Sequence, residues 1–334
     1  MNFRILSAFA LVCALALGAA AAQDDKSKQE GPKVSGGEKD AAQKIEKAKG
    51  TEAKLQAAAA FVKKYPQSPL RRQVADALAR EIADEADAQA KVSLSQAFMD
   101  IFNQPDEAQL VNVSLLNGYI TTGQTPEAIK LGTDWLAKHP DDIGTMQNLA
   151  ILASNEAIKG NASFAAQGRQ YGMKAVELLE ADKMPEGFDA AKWPEYKNAT
   201  LVGLYRALGV LNYKAGDTAG ALPLLEKAAA LKSPDPGVYL LLSELHNDAY
   251  EMRAKEYNVA PAAEKGAAME RVNVALDKVI ESYAQAIAIT DGNAQYAQVN
   301  AAIKQDYERY YKFRHKNSSD GMQQLIDKYK RPAQ

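Results

Sequence analysis

The chain has 334 residues, and its 40 basic and 42 acidic side chains give a formal charge of −2. This near balance argues against a dedicated nucleic-acid binder, because such proteins concentrate positive charge against phosphates. Cys13 is the single cysteine, so no intramolecular disulfide can stabilise the fold.

The first 22 residues have the pattern of a secretory signal peptide. Arg4 precedes an apolar stretch from Ile5 to Ala22, which ends in Ala20-Ala21-Ala22. Small residues at that place are typical of cleavage, here before Gln23. We therefore expect an exported protein, located in a bacterial periplasm.

Two other interpretations of this segment remain open. The apolar run approaches the length that spans a bilayer, so it could stay as an uncleaved anchor. Cys13 could carry a lipid, although Val12 stands where lipoprotein processing sites have a small residue. No second apolar run is long enough to span a membrane, so we expect none in the mature chain.

Residues 23–40 are predicted to form a flexible linker. They are polar and glycine-rich, with Val34 as the single apolar side chain, and such segments bury too little surface to offset the entropy of ordering. From residue 41 to residue 331 the pattern is helical, because alanine is abundant and the alternation of a strand is absent.

Turn and stop signals divide this helical region into a single domain of helix pairs. The predicted pairs cover 41–69, 70–105, 109–142, 143–180, 202–235 and 237–290, followed by C-terminal capping helices at 294–330. An irregular insertion at 181–195 interrupts the series. It contains Phe188 and Trp193, which we expect to pack against the helices; the alternative is a functional loop.

Two stretches share one pattern, and each recurs after 34 residues. Leu115 is followed by Leu149, and Tyr205 is followed by Tyr239. A fixed period of this size is the signature of stacked helical hairpins. Stacked hairpins usually form an extended surface that holds other molecules.

These residues resemble the tetratricopeptide-repeat (TPR) family. In the stretch 202–235, the family's positions are occupied by Tyr205, Leu208, Gly209, Gly216, Ala221, Leu225 and Ala228, with proline one place late at Pro234. In the stretch 109–142, they are occupied by Leu115, Tyr119, Gly123, Ala128, Trp135 and Pro140. Asn112 departs from the pattern, because a bulky residue is usual there. Phe61–Pro69 is similar to a helix-end phrase of bacterial envelope members.

The resemblance covers most of residues 41–290. It implies an all-α fold, a right-handed α-solenoid of antiparallel helix pairs, with partners bound in a concave groove lined by the first helix of each pair. Some members clamp a C-terminal carboxylate there. Asn117 and Asn148 match that clamp, but Val113, Gly203 and Ala207 replace its basic residues, so no clamp is predicted.

Polar positions on the first helices are the candidate partner-binding groove. They are Asn117, Thr121, Gln147, Asn155, Arg206, Tyr213, Lys214, Glu244 and Asn247. The alternative for each is a solvated helix face, which is the commoner role of a single polar side chain on a helix.

Residue patterns for catalysis or cofactor binding are not found in the sequence. His246 stands between Glu244 and Asp248, but two positions along a helix turn a side chain by about 200°. The three side chains therefore cannot converge on a metal ion. We expect no catalytic residue, metal or cofactor, and hence no enzyme.

The tyrosines near the C-terminus are predicted to be structural. Tyr296, Val299, Ile303, Tyr307 and Tyr310 recur at helical steps, which indicates a packing stripe and not a nucleic-acid interface.

The leading hypothesis is therefore an exported TPR-like scaffold that binds protein or peptide partners in the bacterial envelope without catalysis. The alternative is a periplasmic module that binds a small molecule or glycan, using the groove and the 183–195 insertion.

Overall fold

The structure is a computed structural model that describes residues 34–330. The predicted signal peptide and the first part of the predicted linker lie outside the described residues. Within residues 34–330 the chain is helical and none of it lies in a strand, as the sequence predicted. The chain divides into two compact units, with the division between Val74 and Ala75.

The first unit contains a helical hairpin. Helix α1 (Gly36–Lys47) and helix α2 (Thr51–Lys64) are joined through Gly50, whose φ of 84° is a conformation that favours glycine. Ile45, Leu55, Ala58 and Phe61 are buried in these helices. Helix α3 (Arg71–Ala83) runs across the division between the units.

The start of α1 corrects the predicted linker, which was placed at 23–40. Ser35 caps the helix: its hydroxyl accepts the Glu38 N–H at 3.3 Å, and the Glu38 carboxylate accepts the Ser35 N–H at 2.7 Å. This reciprocal pair satisfies two otherwise unpaired N–H groups. The helix therefore begins at Gly36, five positions before the predicted boundary.

The second unit continues with helices in nearly unbroken succession. They are α4 (Ala88–Ile101), α5 (Pro105–Ala108), α6 (Asn112–Thr121), α7 (Thr125–Leu136), α8 (Ile143–Ile158), α9 (Ala165–Glu180), α10 (Trp193–Lys214), α11 (Thr218–Ala230), α12 (Pro236–Val259), α13 (Lys265–Thr290), α14 (Ala297–Arg314) and α15 (Met322–Tyr329). Single 3-10 turns precede α6 and α14.

Consecutive helices of this unit pack as pairs: α6 with α7, α8 with α9, α10 with α11 and α12 with α13. Each pair also contacts the next, through α7 and α8, through α8, α9 and α10, and through α11 and α12. One continuous apolar core extends from Leu116 to Ile326. This packing agrees with the helical repeat that the sequence predicted, since each pair buries its apolar face against a neighbouring pair.

Small residues bring paired helices close together. A Cβ atom on Gly168 of α9 would lie 2.3 Å from the Cβ of Ala153 on α8. A Cβ on Gly209 of α10 would lie 2.7 Å from the Cγ of Leu225 on α11. At such distances no larger side chain fits unless the helices move apart.

Helix α10 begins earlier than the sequence predicted. Residues 193–195 were assigned to the insertion, and the repeat was predicted to start at 202, but Trp193 is the first residue of α10. Pro194 lies in the first turn, where its missing N–H costs nothing, and Glu195 complements the helix dipole there. The irregular segment is therefore confined to 181–192.

The last two helices cover the end of the core. Helices α14 and α15 both contact α13. The buried side of α14 is formed by Asn300, Ile303, Tyr307 and Tyr311. This side differs from the predicted stripe, because Val299 is 40% exposed. The Tyr307 hydroxyl donates to the Met322 carbonyl oxygen, and the Tyr311 hydroxyl donates to that of Asp320. These two hydrogen bonds hold the start of α15 in place.

Candidate functional site

Helices α8, α10 and α12, the first helices of three successive pairs, are joined by packing and by side-chain contacts. Helix α8 packs against α10, and a Cβ on Gly203 would lie 3.2 Å from the Nε2 of Gln147 and 3.5 Å from the Cδ1 of Ile151. The absence of a side chain at Gly203 therefore lets α8 and α10 approach at the level of Gln147. This candidate residue lies at a helix–helix contact and is half-buried.

Helix α10 is connected to α12 by two polar contacts. The Arg206 guanidinium forms an ion pair with Asp235, the N-cap of α12. Nearer the end of α10, the Tyr213 hydroxyl donates to the Glu244 carboxylate. Three of the nine candidate residues therefore contribute to cohesion between neighbouring pairs as well as to the surface.

The contact with Glu244 has an electrostatic consequence for Tyr213. The hydrogen bond to Glu244, reinforced by burial and by the carboxylate charges, raises the pKa of Tyr213 to about 12. All three contributions act in one direction, because each of them disfavours the charged phenolate. Lys214, which is exposed, lies with its Nζ 6.0 Å from the centre of the Tyr213 ring.

Helix α12 is in turn connected to α14. The Tyr310 hydroxyl donates to the Asn247 side-chain oxygen, and the Asn247 amide donates to Glu251 at 3.2 Å. The ring of Tyr310 lies 6.0 Å from those of Tyr250 and Tyr283. Burial, with Asp306 adding to it, raises the pKa of Tyr283 to about 12. Asn247 thus belongs to a polar contact at the edge of an aromatic cluster.

The remaining candidates lie on the earlier helices. Asn117 and Thr121 are exposed on α6, one turn apart, and Asn155 is half-buried near the end of α8. Helix α6 carries no charged side chain. These residues offer amide and hydroxyl groups that can both donate and accept hydrogen bonds.

A small cleft lies where α6, α7 and α8 meet. It is open to solvent and is lined by Asn112, Val113, Leu116, Leu131, Gly132, Trp135 and Thr145. Its enclosed space holds about one water molecule, which is too little for a small-molecule ligand.

The aromatic side chains of the insertion are packed and not presented to solvent. Trp193 is 6% exposed, its Nε1 donates to Asp182 at 2.9 Å, and its ring lies 5.7 Å from Phe188 and 5.8 Å from Tyr196. Lys197 pairs with the same carboxylate oxygen at 2.8 Å. The packing that the sequence predicted for Phe188 and Trp193 is confirmed.

Metal ligation has no support from the described part of the chain. Within residues 34–330, no group of three or more histidine, cysteine or acidic side chains is placed to hold an ion. His246 is 6% exposed and points towards Ser282 and Glu226, which lie on α13 and α11. Glu244 instead accepts from Tyr213, so the two side chains do not converge.

Some partners of the candidate residues were missed in the sequence. Asp235 was not among the candidate residues, and its contact with Arg206 spans 29 positions. Tyr310 was assigned to packing, and its contact with Asn247 spans 63 positions. Helical periodicity predicts which residues share one face, but it does not predict which distant helix lies opposite that face.

Comparison of the chain with protein-family models and with curated proteins gave no match. Across residues 34–330, none of the helices combines the length and the apolar character needed to cross a bilayer.

Proposed function

We propose that this protein is an exported, TPR-like scaffold of right-handed solenoid form, which binds protein or peptide partners along its first helices and catalyses no reaction. The binding surface comprises α6, α8, α10 and α12, and we call it the first-helix face. The signal-peptide pattern of residues 1–22 supports export, and the alanine-rich leader together with the family resemblance supports a bacterial periplasm.

One observation carries this proposal: polar side chains lie where the first helices α8, α10 and α12 meet. Gln147 lies against Gly203, Arg206 against Asp235, and Tyr213 against Glu244. Side chains fixed by such contacts lose little further freedom when a partner binds, which reduces the entropic cost of association.

The uncharged part of the first-helix face favours a polypeptide ligand over a charged small molecule. Asn117 and Thr121 on α6 and Asn155 on α8 supply donors and acceptors without a net charge. These groups match the N–H and C=O groups of an extended main chain.

The insertion gives little support to the alternative of a lidded site for a small molecule or glycan. The Trp193 ring at the start of α10, directly after this segment, is buried and hydrogen-bonded to Asp182 within it. A lid must open and close, whereas this segment is held by a buried indole and an ion pair between Asp182 and Lys197. We therefore assign the insertion a structural role.

The test is an in-cell crosslinking pull-down of the tagged chain with a matched pair of variants. One variant carries Asn117→Arg and Thr121→Arg, which places two arginines one turn apart on α6. The control carries Ala166→Arg and Gln170→Arg, which does the same on exposed positions of the second helix α9. Circular dichroism first establishes that both variants keep the helical content of the wild type.

We expect a specific protein to be enriched with the wild type and the α9 control, and to be lost with the α6 variant. The proposal is contradicted if both variants lose that protein equally, or if the α6 variant retains it. Absence of an enriched protein in every sample, together with thermal stabilisation by a small molecule, would establish the alternative.

A further inference from the structure

A buried histidine lies at the junction of three helices, away from the first-helix face. His246 of α12 is 6% exposed. Its Nδ1 lies 2.8 Å from the Oγ of Ser282 on α13, and its Nε2 lies 3.5 Å from the Oε1 of Glu226 on α11. The ring therefore joins the pair α10–α11 to the pair α12–α13.

A lysine competes for the same carboxylate oxygen. Lys278 of α13 places its Nζ 2.9 Å from the Oε1 of Glu226. Glu226 and Lys278 are the charged groups that face His246 from the packed helices. The acidic neighbours on its own helix, Glu244 and Asp248, are two positions away and turned by about 200°.

The hydroxyl of Ser282 allows the ring to exist in two protonation states. It lies 2.9 Å from the Lys278 carbonyl oxygen as well as 2.8 Å from His246 Nδ1. With a neutral ring, Ser282 donates to Nδ1 and the Nε2–H donates to Glu226. With a protonated ring, Nδ1–H donates to Ser282, whose hydroxyl turns to the carbonyl. Proton uptake thus leaves the ring and the Ser282 hydroxyl bonded, and its effect falls on the Glu226 carboxylate, which Lys278 also contacts.

We propose that His246 is a latch that opens when its ring takes up a proton. The protonated ring is a second cation beside the Glu226 carboxylate. It displaces Lys278 from that carboxylate and so loosens the contact between α11 and α13. The proton comes from solvent and no covalent bond other than N–H is formed. Because α10 and α12 contribute to the first-helix face, this latch would make the geometry of that face depend on pH. The latch stands whether or not that face binds a partner.

The sign of the effect follows from burial. Desolvation lowers the pKa of His246 below its ordinary value, and the Lys278 charge acts in the same direction, while Glu226 opposes both without cancelling them. The unfolded chain therefore takes up this proton at a higher pH than the folded chain. The stability contributed by the neutral ring is complete above the ordinary histidine pKa, and it is lost as the pH falls towards the folded value.

The first test is an NMR titration of the histidine ring signals of the full mature chain, from neutral to mildly acidic pH. The same chain unfolded in urea is the reference. We expect the His246 signal to change at a lower pH in the folded chain than in the unfolded chain. A Glu226→Gln variant should shift the midpoint further down, and Lys278→Met should shift it up. An equal or higher midpoint in the folded wild type overturns the proposal.

Hydrogen exchange then tests the loosening itself. We expect the protection of α11 and α13 amides, corrected for intrinsic rates, to fall on acidification in the wild type and to stay constant in His246→Gln. His315→Gln is the matched control, because it removes an exposed histidine elsewhere and should behave as the wild type does. The same loss of protection in His246→Gln would contradict the latch. If His246→Gln does not fold, the NMR titration of the wild type and of Glu226→Gln decides between keeping and rejecting the latch.

Discussion

Helices α8 and α9 approach closely at Gly168, so we predict that Gly168→Ala destabilises the fold. The new methyl carbon would lie 2.3 Å from the Ala153 Cβ, whereas carbon atoms in contact prefer about 3.5–4.0 Å. Both atoms are fixed by their backbones, so a rotamer change cannot relieve the clash. Helix α9 must therefore move away from α8 by more than about 1 Å.

The magnitude follows from two opposing effects. Alanine stabilises a helix interior relative to glycine by about 1 kcal/mol. Overpacking a core costs about 1–3 kcal/mol, and the upper half of that range applies here because neither helix can yield locally. We expect a net loss of about 1–2 kcal/mol in the free energy of unfolding, measured by urea denaturation followed by circular dichroism.

A matched control variant separates the effect of core packing from the effect of helix propensity. Gly266 is exposed in the first turn of α13, and a Cβ there would meet nothing within 4 Å. Gly266→Ala should therefore be neutral or stabilise by up to about 1 kcal/mol. The double variant Gly168→Ala with Ala153→Gly removes the clashing methyl, so it should be less destabilised than the sum of its single changes. Strict additivity, or a Gly168→Ala variant as stable as the wild type, would refute the reasoning.

Three further predictions follow from other contacts. Trp193→Ala should lower the free energy of unfolding, measured by urea denaturation, by about 3–5 kcal/mol, because it leaves a cavity where the buried indole was. A loss below about 1 kcal/mol would contradict the structural role assigned to the insertion. Ser35→Ala should cost about 1 kcal/mol and speed hydrogen exchange in α1, since it removes the capping box, and unchanged exchange would exclude that role. Stability should fall as the pH rises from the ordinary tyrosine pKa of about 10 through the Tyr213 pKa of about 12, because the folded chain holds that proton more tightly. Glu244→Gln should lower the Tyr213 midpoint in an ultraviolet titration, and an unchanged midpoint would remove the assigned cause.

Local residue patterns were sufficient to predict the helical class and several helix boundaries. The pair predicted at 143–180 begins at α8, whose N-cap Asp142 accepts the Thr145 N–H at 3.0 Å. The pair predicted at 237–290 corresponds to α12 and α13, which cover Pro236–Val259 and Lys265–Thr290. Caps, glycine turns and proline stops act within a few residues, so they can be read from the sequence.

The errors arose where a local signal was weak or ambiguous. Trp193 and Pro194 were assigned to an irregular insertion, because the 34-residue period breaks there and Pro185 and Gly187 lie in the same stretch. Burial of the indole against the core and the Asp182 contact favour a helix that starts there. At the other end, the Ser35–Glu38 capping box was not recognised among glycines and lysines.

The candidate site could be predicted only as a set of positions on helix faces. The sequence placed Arg206, Tyr213, Glu244 and Asn247 on first helices, but not in contact with Asp235, with each other or with Tyr310. For these pairs, contact depends on how neighbouring hairpins are rotated against each other. That rotation is set by packing at residues such as Gly203, whose missing side chain admits Gln147.

The sequence by itself therefore determined the helical class, the hairpin period and the polar character of the first helices, because these depend on interactions within about one turn to one hairpin. The tertiary structure alone decided which polar groups meet, that His246 faces Glu226 and Ser282, and that the indole of Trp193 is buried. These contacts join residues 11 to 63 positions apart. They form only when whole helices dock, and the docking is fixed by the fit of many small contacts that no local pattern encodes.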